Sequence, residues 1–216
     1  YPTSPYAMSV ASVPFSLGRL GLIAGNTFLE AVRQKLFLFL LLLAIGLVAS
    51  ALFFREFNFG SSELKFIADF GFGALVFFGS ALTIATTAQL FFSEIENRTA
   101  LTLLAKPLWR AEFVFGKFLG VFAVIGVFCA LTIGLMMALL YHREGQLMAM
   151  DPEAFESGRL IAYGDLLTVG LLQWLKFGVL TAIVLLIASF SNTNLFTVVT
   201  GFFVLVICHL QYLARD

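Results

Sequence analysis

Two histidines, two cysteines and thirteen acids are the side chains here that could ligate a metal or handle a proton, and their spacing builds no familiar reaction centre. Paired axial haem ligands need histidines on facing helices, whereas His142 falls in a polar connection and His209 near the end of an apolar run. The H-E-x-x-H spacing of a zinc protease is absent. So is the phosphate loop G-x-x-x-x-G-K-[ST]. Its nearest approach is Gly116-Lys117 followed by Phe118, so ATP hydrolysis is not expected of this chain. Cys129 and Cys208 lie inside apolar runs and read as small buried hydrophobes rather than metal ligands or a disulfide.

Charge with local structure is concentrated instead in residues 93–120, SEIENRTALTLLAKPLWRAEFVFGKFLG, between two strongly apolar runs. Ser93-Glu94-Ile95-Glu96 matches a capping box, which predicts a helix starting at Ser93. Glu94 and Arg98 stand four apart in the favourable order, both acids sit at the positive end of the helix dipole, and Pro107 stops the helix soon after Lys106. The predicted element has roughly three turns, by the 3.6-residue period. Leu101, Leu103, Leu104 and Leu108 supply its contact surface, and Arg98, Lys106 and Arg110 its positive charge. Gly116 and Gly120, four apart, allow another helix to come close. The competing reading is a solvated loop, which would need neither a start signal nor a stop signal.

The elements that must position this insert follow from solvent. Apolar residues make up 60% of the chain and charged residues 12%, with a mean hydropathy of +0.98, which identifies an integral membrane protein. Thirteen basic and thirteen acidic residues cancel, so net charge gives no reason to expect a nucleic-acid partner. A helix needs roughly 20 apolar residues to cross the hydrocarbon, and five runs qualify: 36–54, 70–92, 118–141, 166–190 and 195–213. A β-barrel is excluded by runs such as LFLFLLLL at 36–43, which have no polar face. Pro2, Pro5, Pro14, Pro107 and Pro152 all lie outside the runs, so continuous helices are expected.

Ahead of the spans, 1–15 reads as a tail and 16–35 as an amphipathic helix. Leu20, Ile23, Ala24, Phe28, Ala31 and Val32 form its apolar stripe, expected to dip into the membrane interface while Arg19, Arg33 and Lys35 meet headgroups. The alternative is a plain extension of the first span. No secretory signal peptide is evident, and residues ahead of Tyr1 are expected. The rest, 36–216, is the membrane domain, with its central loop at 93–117. Seven Lys and Arg fall inside and five outside if the N terminus is cytoplasmic, which favours that orientation.

Polar groups within the runs are the default place for a transport path. Lys176 is either such a group or part of an interfacial belt with Gln173 and Trp174. The belt version, in which the span starts near Trp174 and 160–172 lies on the outer surface, is favoured. His209 and Gln211 are expected to snorkel. Thr83, Thr86, Thr87 and Gln89 either line a cavity or bond back to their own helix.

Three strings, Glu94-Ile95-Glu96-x-Arg98-Thr99, Leu103-Leu104-x-Lys106-Pro107-x-x-Arg110 and Phe113-x-x-Gly116-Lys117, resemble the permease subunits of type-2 ABC exporters, including those of copper-enzyme maturation operons. Ile23-Ala24-x-Asn26-Thr27-Phe28-x-Glu30 looks like that family's elbow helix, and 202–209 like its fifth span. The resemblance implies an all-α polytopic bundle with five of an expected six spans present, an N-terminal amphipathic elbow helix and a cytoplasmic coupling helix. Ending after the fifth span departs from the pattern. It further implies that Glu94, Glu96, Arg98, Thr99, Leu103, Leu104, Lys106, Pro107 and Arg110 meet a separate ATPase subunit that carries ATP and Mg. Gly116 and Gly120 would serve helix packing, and Thr83, Thr87, Gln89 and Lys176 are the candidate translocation path. No metal and no cofactor are expected on this chain itself. A second permease subunit, most simply a homodimer partner, surrounding lipid and a bacterial inner membrane complete the expectation. The alternative is a structural or accessory membrane subunit whose phenylalanines and glycines only pack, without an ATPase partner.

Overall fold

Lipid offers no hydrogen bonds, so a chain this apolar must satisfy its backbone within its own segments. It does so as helices throughout the described residues. The structure, a computed structural model, describes residues 17–51, 63–96, 110–150 and 161–213, and the side chains of 94–96, 110–111 and 211–213 are outside that description. In chain order the helices are α1 (Leu17–Val32), α2 (Lys35–Ser50), α3 (Glu63–Glu96), α4 (Arg110–Met150), α5 (Tyr163–Phe190) and α6 (Asn194–Leu213).

By length and composition α3, α4 and α5 can each cross a membrane, and α1 with α2 makes a fourth candidate if the 63° bend between them is taken as a broken span. The α6 helix is a shorter apolar element, and the first expected run, 36–54, is described only to residue 51. The structure therefore carries three to four candidate spans where five were expected from apolar runs.

Several helices outrun the apolar segments that mark them. The α3 helix begins at Glu63 rather than near residue 70, and α4 runs from Arg110 to Met150, absorbing both Gly116-Lys117 and His142, which were expected in connections. Charged residues end the hydrocarbon, not the helix. What bounds α4 in sequence is Pro107 before it and Pro152 after it. The α5–α6 turn is set by hydroxyls: Ser191 Oγ accepts from the Thr193 N–H, and Thr193 Oγ1 accepts from the Phe196 N–H, each at 3.3 Å, which caps α6.

The helices α3, α4 and α5 pack against one another, α2 lies against α3 and α4, and α6 against α3 and α5. On α2 the buried positions Phe37, Leu41, Ala44 and Val48 follow helical steps, while Leu38, Phe39 and Leu42 are exposed to the surroundings. The core joins Phe37, Leu41 and Ala44 of that stripe to Leu75 and Leu82 of α3, Val124, Ile125 and Phe128 of α4, and Phe177 of α5.

Aromatic rings seated on glycines fix the register. A Cβ on Gly79 would stand 2.6 Å from the Phe177 ring. Phe122 stacks on Trp174 with centroids 4.3 Å apart, and Trp174 Nε1 donates to the Phe122 carbonyl at 3.0 Å. Trp174 is thereby packed on the apolar stretch of α4, inside an uninterrupted α5 that begins at Tyr163. The helix therefore does not start near Trp174, which corrects that expected boundary.

Filling the Gly79 seat tests this packing. Gly79→Ala should displace the Phe177 ring and lower stability by about 1–3 kcal/mol, the usual range for overpacking. Gly73→Ala, where nothing lies within 4 Å of the added Cβ, should leave the thermal unfolding midpoint in detergent unchanged or slightly raised.

Candidate functional site

Two glycines one turn apart make a flat floor near the start of α4. A Cβ on Gly116 would lie 2.6 Å from Ile23 of α1, and one on Gly120 would lie 2.6 Å from the Thr27 side chain and 2.8 Å from the Ala24 carbonyl. The α1 backbone can therefore rest directly on α4, burying Thr27 and Ala31. The stripe of Leu20, Ile23, Ala24, Phe28, Ala31 and Val32 was expected to dip into lipid. Its middle instead covers this floor, while Leu17, Leu22 and Leu29 are the exposed apolar positions of α1.

Beside the floor lies a polar junction of three helices. Lys117 is almost wholly buried. Its ammonium donates to the Leu90 carbonyl of α3 and stands 5.5 Å from the centre of the Phe113 ring, a cation–π distance. Ser93 Oγ lies 3.3 Å from both Glu30 Oε1 of α1 and the Leu90 carbonyl. Glu112, one turn before Gly116, is also buried. Ser93 thus works inside α3 rather than as the N-cap of a new helix. Because α3 continues through Glu96, the amides following Ser93 belong to a continuing helix rather than to a free first turn, which corrects the capping-box reading.

The backbones of Glu94 and Glu96 close α3, and Arg110 opens α4. Arg98, Thr99, Leu103, Leu104, Lys106 and Pro107 lie outside the described residues. The two stems of the 97–109 segment are accordingly tied to each other by Lys117 on Leu90 and to α1 by Ser93 on Glu30. Neither Lys117 nor Glu30 stood out in the sequence as a tie. The available signal was a lysine placed between two glycines four apart.

A second polar cluster holds the opposite ends of α3, α4 and α5. Arg143 grips Glu63 with two bonds, Nε to Oε1 at 2.6 Å and Nη2 to Oε2 at 3.2 Å, and also donates to Gln146 Oε1 at 2.6 Å. Gln146 Nε2 is 3.1 Å from His142 Nε2. The buried Glu144 accepts from the Tyr163 hydroxyl at 2.7 Å and the Ile161 N–H at 3.3 Å, which fixes the entry into α5. Neither Arg143 nor Glu144 stood out in the sequence as a contact between helices.

The four candidate path residues are not brought together. Thr83 and Thr87 are fully buried and donate back to Gly79 and Thr83 carbonyls at 2.7 and 2.6 Å, so of the two readings open for them the structure shows the local bond. Gln89 faces outward on α3. Lys176, midway along the 28-residue α5, lines an open groove of about 560 Å³ between α3, α5 and α6. Ser80, Gln173, Cys208 and His209 share its lining. Cys208 is exposed there, unlike the buried Cys129, so the expectation of a buried hydrophobe fails for it. An ammonium at the bilayer centre costs roughly 2.5–3.5 kcal/mol on insertion scales. Among the described residues no group of three or more His, Cys, Asp or Glu converges to hold a metal.

A bundle of apolar helices with a charged, buried junction at the stems of one connection suits a membrane subunit. The comparison with known families agrees: residues 21–214 match the ABC-2 family transporter proteins, so the chain belongs to that family and is a permease subunit of an ABC transporter. Such a subunit is in general not itself catalytic, and membership implies an ATPase partner. No curated protein matches the chain significantly.

Both polar clusters can be tested by substitution. Lys117→Met deprives the Leu90 carbonyl of a charged donor and should lower stability by about 2 kcal/mol, with faster limited proteolysis within 97–109 as its local readout. Arg143→Ala strands Glu63 and should cost about 3 kcal/mol. A double-mutant cycle with Glu63→Gln should then return a coupling of at least about 1 kcal/mol by thermal unfolding.

Proposed function

We propose that this chain is the permease of an ATP-driven exporter and that its 93–110 segment receives the stroke of a separate ATPase. The observation that supports this most is the junction at the stems of that segment. A push on a connection whose stems are free would be absorbed by the connection. Here Lys117 joins α4 to the Leu90 carbonyl of α3, and Ser93 joins α3 to Glu30 of α1, so displacement of the segment would move three helices together.

In this reading Glu94, Glu96, Arg98, Thr99, Leu103, Leu104, Lys106, Pro107 and Arg110 present the docking surface, as the likeness to type-2 exporters, the copper-enzyme maturation group among them, implies. ATP and Mg belong to the partner. The α1 helix acts as the elbow, with Gly116 and Gly120 as its seat, and α2 to α6 supply five spans of a six-span plan. A second copy of the chain completes the assembly about a two-fold axis in a bacterial inner membrane, with the N terminus cytoplasmic. The path for cargo passes Lys176, with Gln89, Thr83 and Thr87 along α3.

Co-expression with the genome-neighbouring ATPase and affinity capture of the permease tests the reading. The expected result is a nucleotide-binding subunit retained by the wild-type chain and released by Glu96→Lys or Arg98→Glu. A permease that captures no ATPase in any form would favour a structural or accessory subunit.

A further inference from the structure

The groove containing Lys176, which the proposed cargo path passes, has a chemistry of its own. Its charged and titratable lining is Lys176 and His209, with Gln173, Ser80 and Cys208 as further polar groups, and no acid is among the described residues that line it. Its walls include Phe177, Leu180 and Leu205. Lys176 and Ser80 each lie midway along their helices, about 20–25 Å of helical rise from either end. Lys176 is exposed rather than enclosed by α3 and α6. A cation at this depth calls for an anionic counterpart, and the apolar walls call for that anion to carry a hydrocarbon body.

We propose that the α3–α5–α6 groove binds an anionic amphiphile, with the acid group on Lys176 and His209, an amide contact from Gln173, and the chain along Val179, Leu180 and Leu205. The ligand is either a membrane phospholipid with a net negative headgroup or a free long-chain carboxylate. Both offer an anion on an acyl chain, and the test separates them. Binding needs no nucleotide, so failure here leaves the permease assignment standing.

Trp174, two residues from Lys176, is the reporter. The full chain carrying Trp109→Phe is placed in zwitterionic nanodiscs and titrated with doxyl-labelled phosphatidylglycerol, doxyl-labelled stearate or doxyl-labelled phosphatidylcholine. At least one anionic probe should quench Trp174 at about tenfold lower concentration than the zwitterionic probe, the factor that about 1.4 kcal/mol provides. The probe that does so identifies the source. Lys176→Gln should abolish the preference, and Lys176→Arg should keep it. Leu205→Trp in a Trp174→Phe background, read by native mass spectrometry, should lose retained anionic lipid by filling the groove with Lys176 in place. Equal quenching by all three probes, or a preference that survives Lys176→Gln, overturns the proposal. So does a Cys208–Cys208 crosslink forming in the nanodisc while both anionic probes fail, because a second protein chain would then occupy the groove.

Discussion

Direct contact between the α1 backbone and the glycine floor of α4 is the constraint on which the rest of the junction depends. With any side chain at Gly116 or Gly120, α1 would be lifted away by the clash with Ile23 or Thr27. Glu30 would then lose its position opposite Ser93. Lys117, placed between the two glycines in sequence, makes its buried bond to the Leu90 carbonyl beside this contact. Small residues here do more than permit packing. They set the distance at which three helices can share a few polar groups.

The bundle is held differently along its length. In lipid, helices gain little from hiding apolar surface from one another, so close packing and polar contacts must supply the cohesion. The middle relies on rings in glycine seats, Phe177 on Gly79 and Trp174 against Phe122. The two ends rely on charged side chains at the limits of the apolar stretch: Lys117 on Leu90 at one end, Arg143 on Glu63 and Glu144 on Tyr163 at the other. Polar ties at both ends thus join α3 to α4 along their length.

Lys176 is the exception to that economy. Its neighbour Trp174 is packed against α4, while the lysine faces outward into the groove beside α6. Among the described residues no hydrogen bond holds its ammonium. Thr83 and Thr87, by contrast, give their hydroxyls to carbonyls of their own helix.

Residue types along the chain were sufficient to establish a helical membrane protein, a charged insert between two apolar runs, and the family likeness carried by residues 93–117, because each is a property of order and composition. Helix limits were less legible. Hydrophobicity marks where lipid ends, while proline and backbone bonding mark where a helix ends, and in α3 and α4 the two differ. Ser93 shows the same ambiguity at one residue: followed by glutamate three positions later it reads as a cap, and only the continuation of α3 reveals it as a contact to Glu30. The partners of Gly116, Lys117, Arg143 and Glu144 were decided by tertiary structure alone. Each contacts groups distant in the chain, on α1, α3 or the entry to α5, and a pattern along one segment carries no record of which other segment will face it.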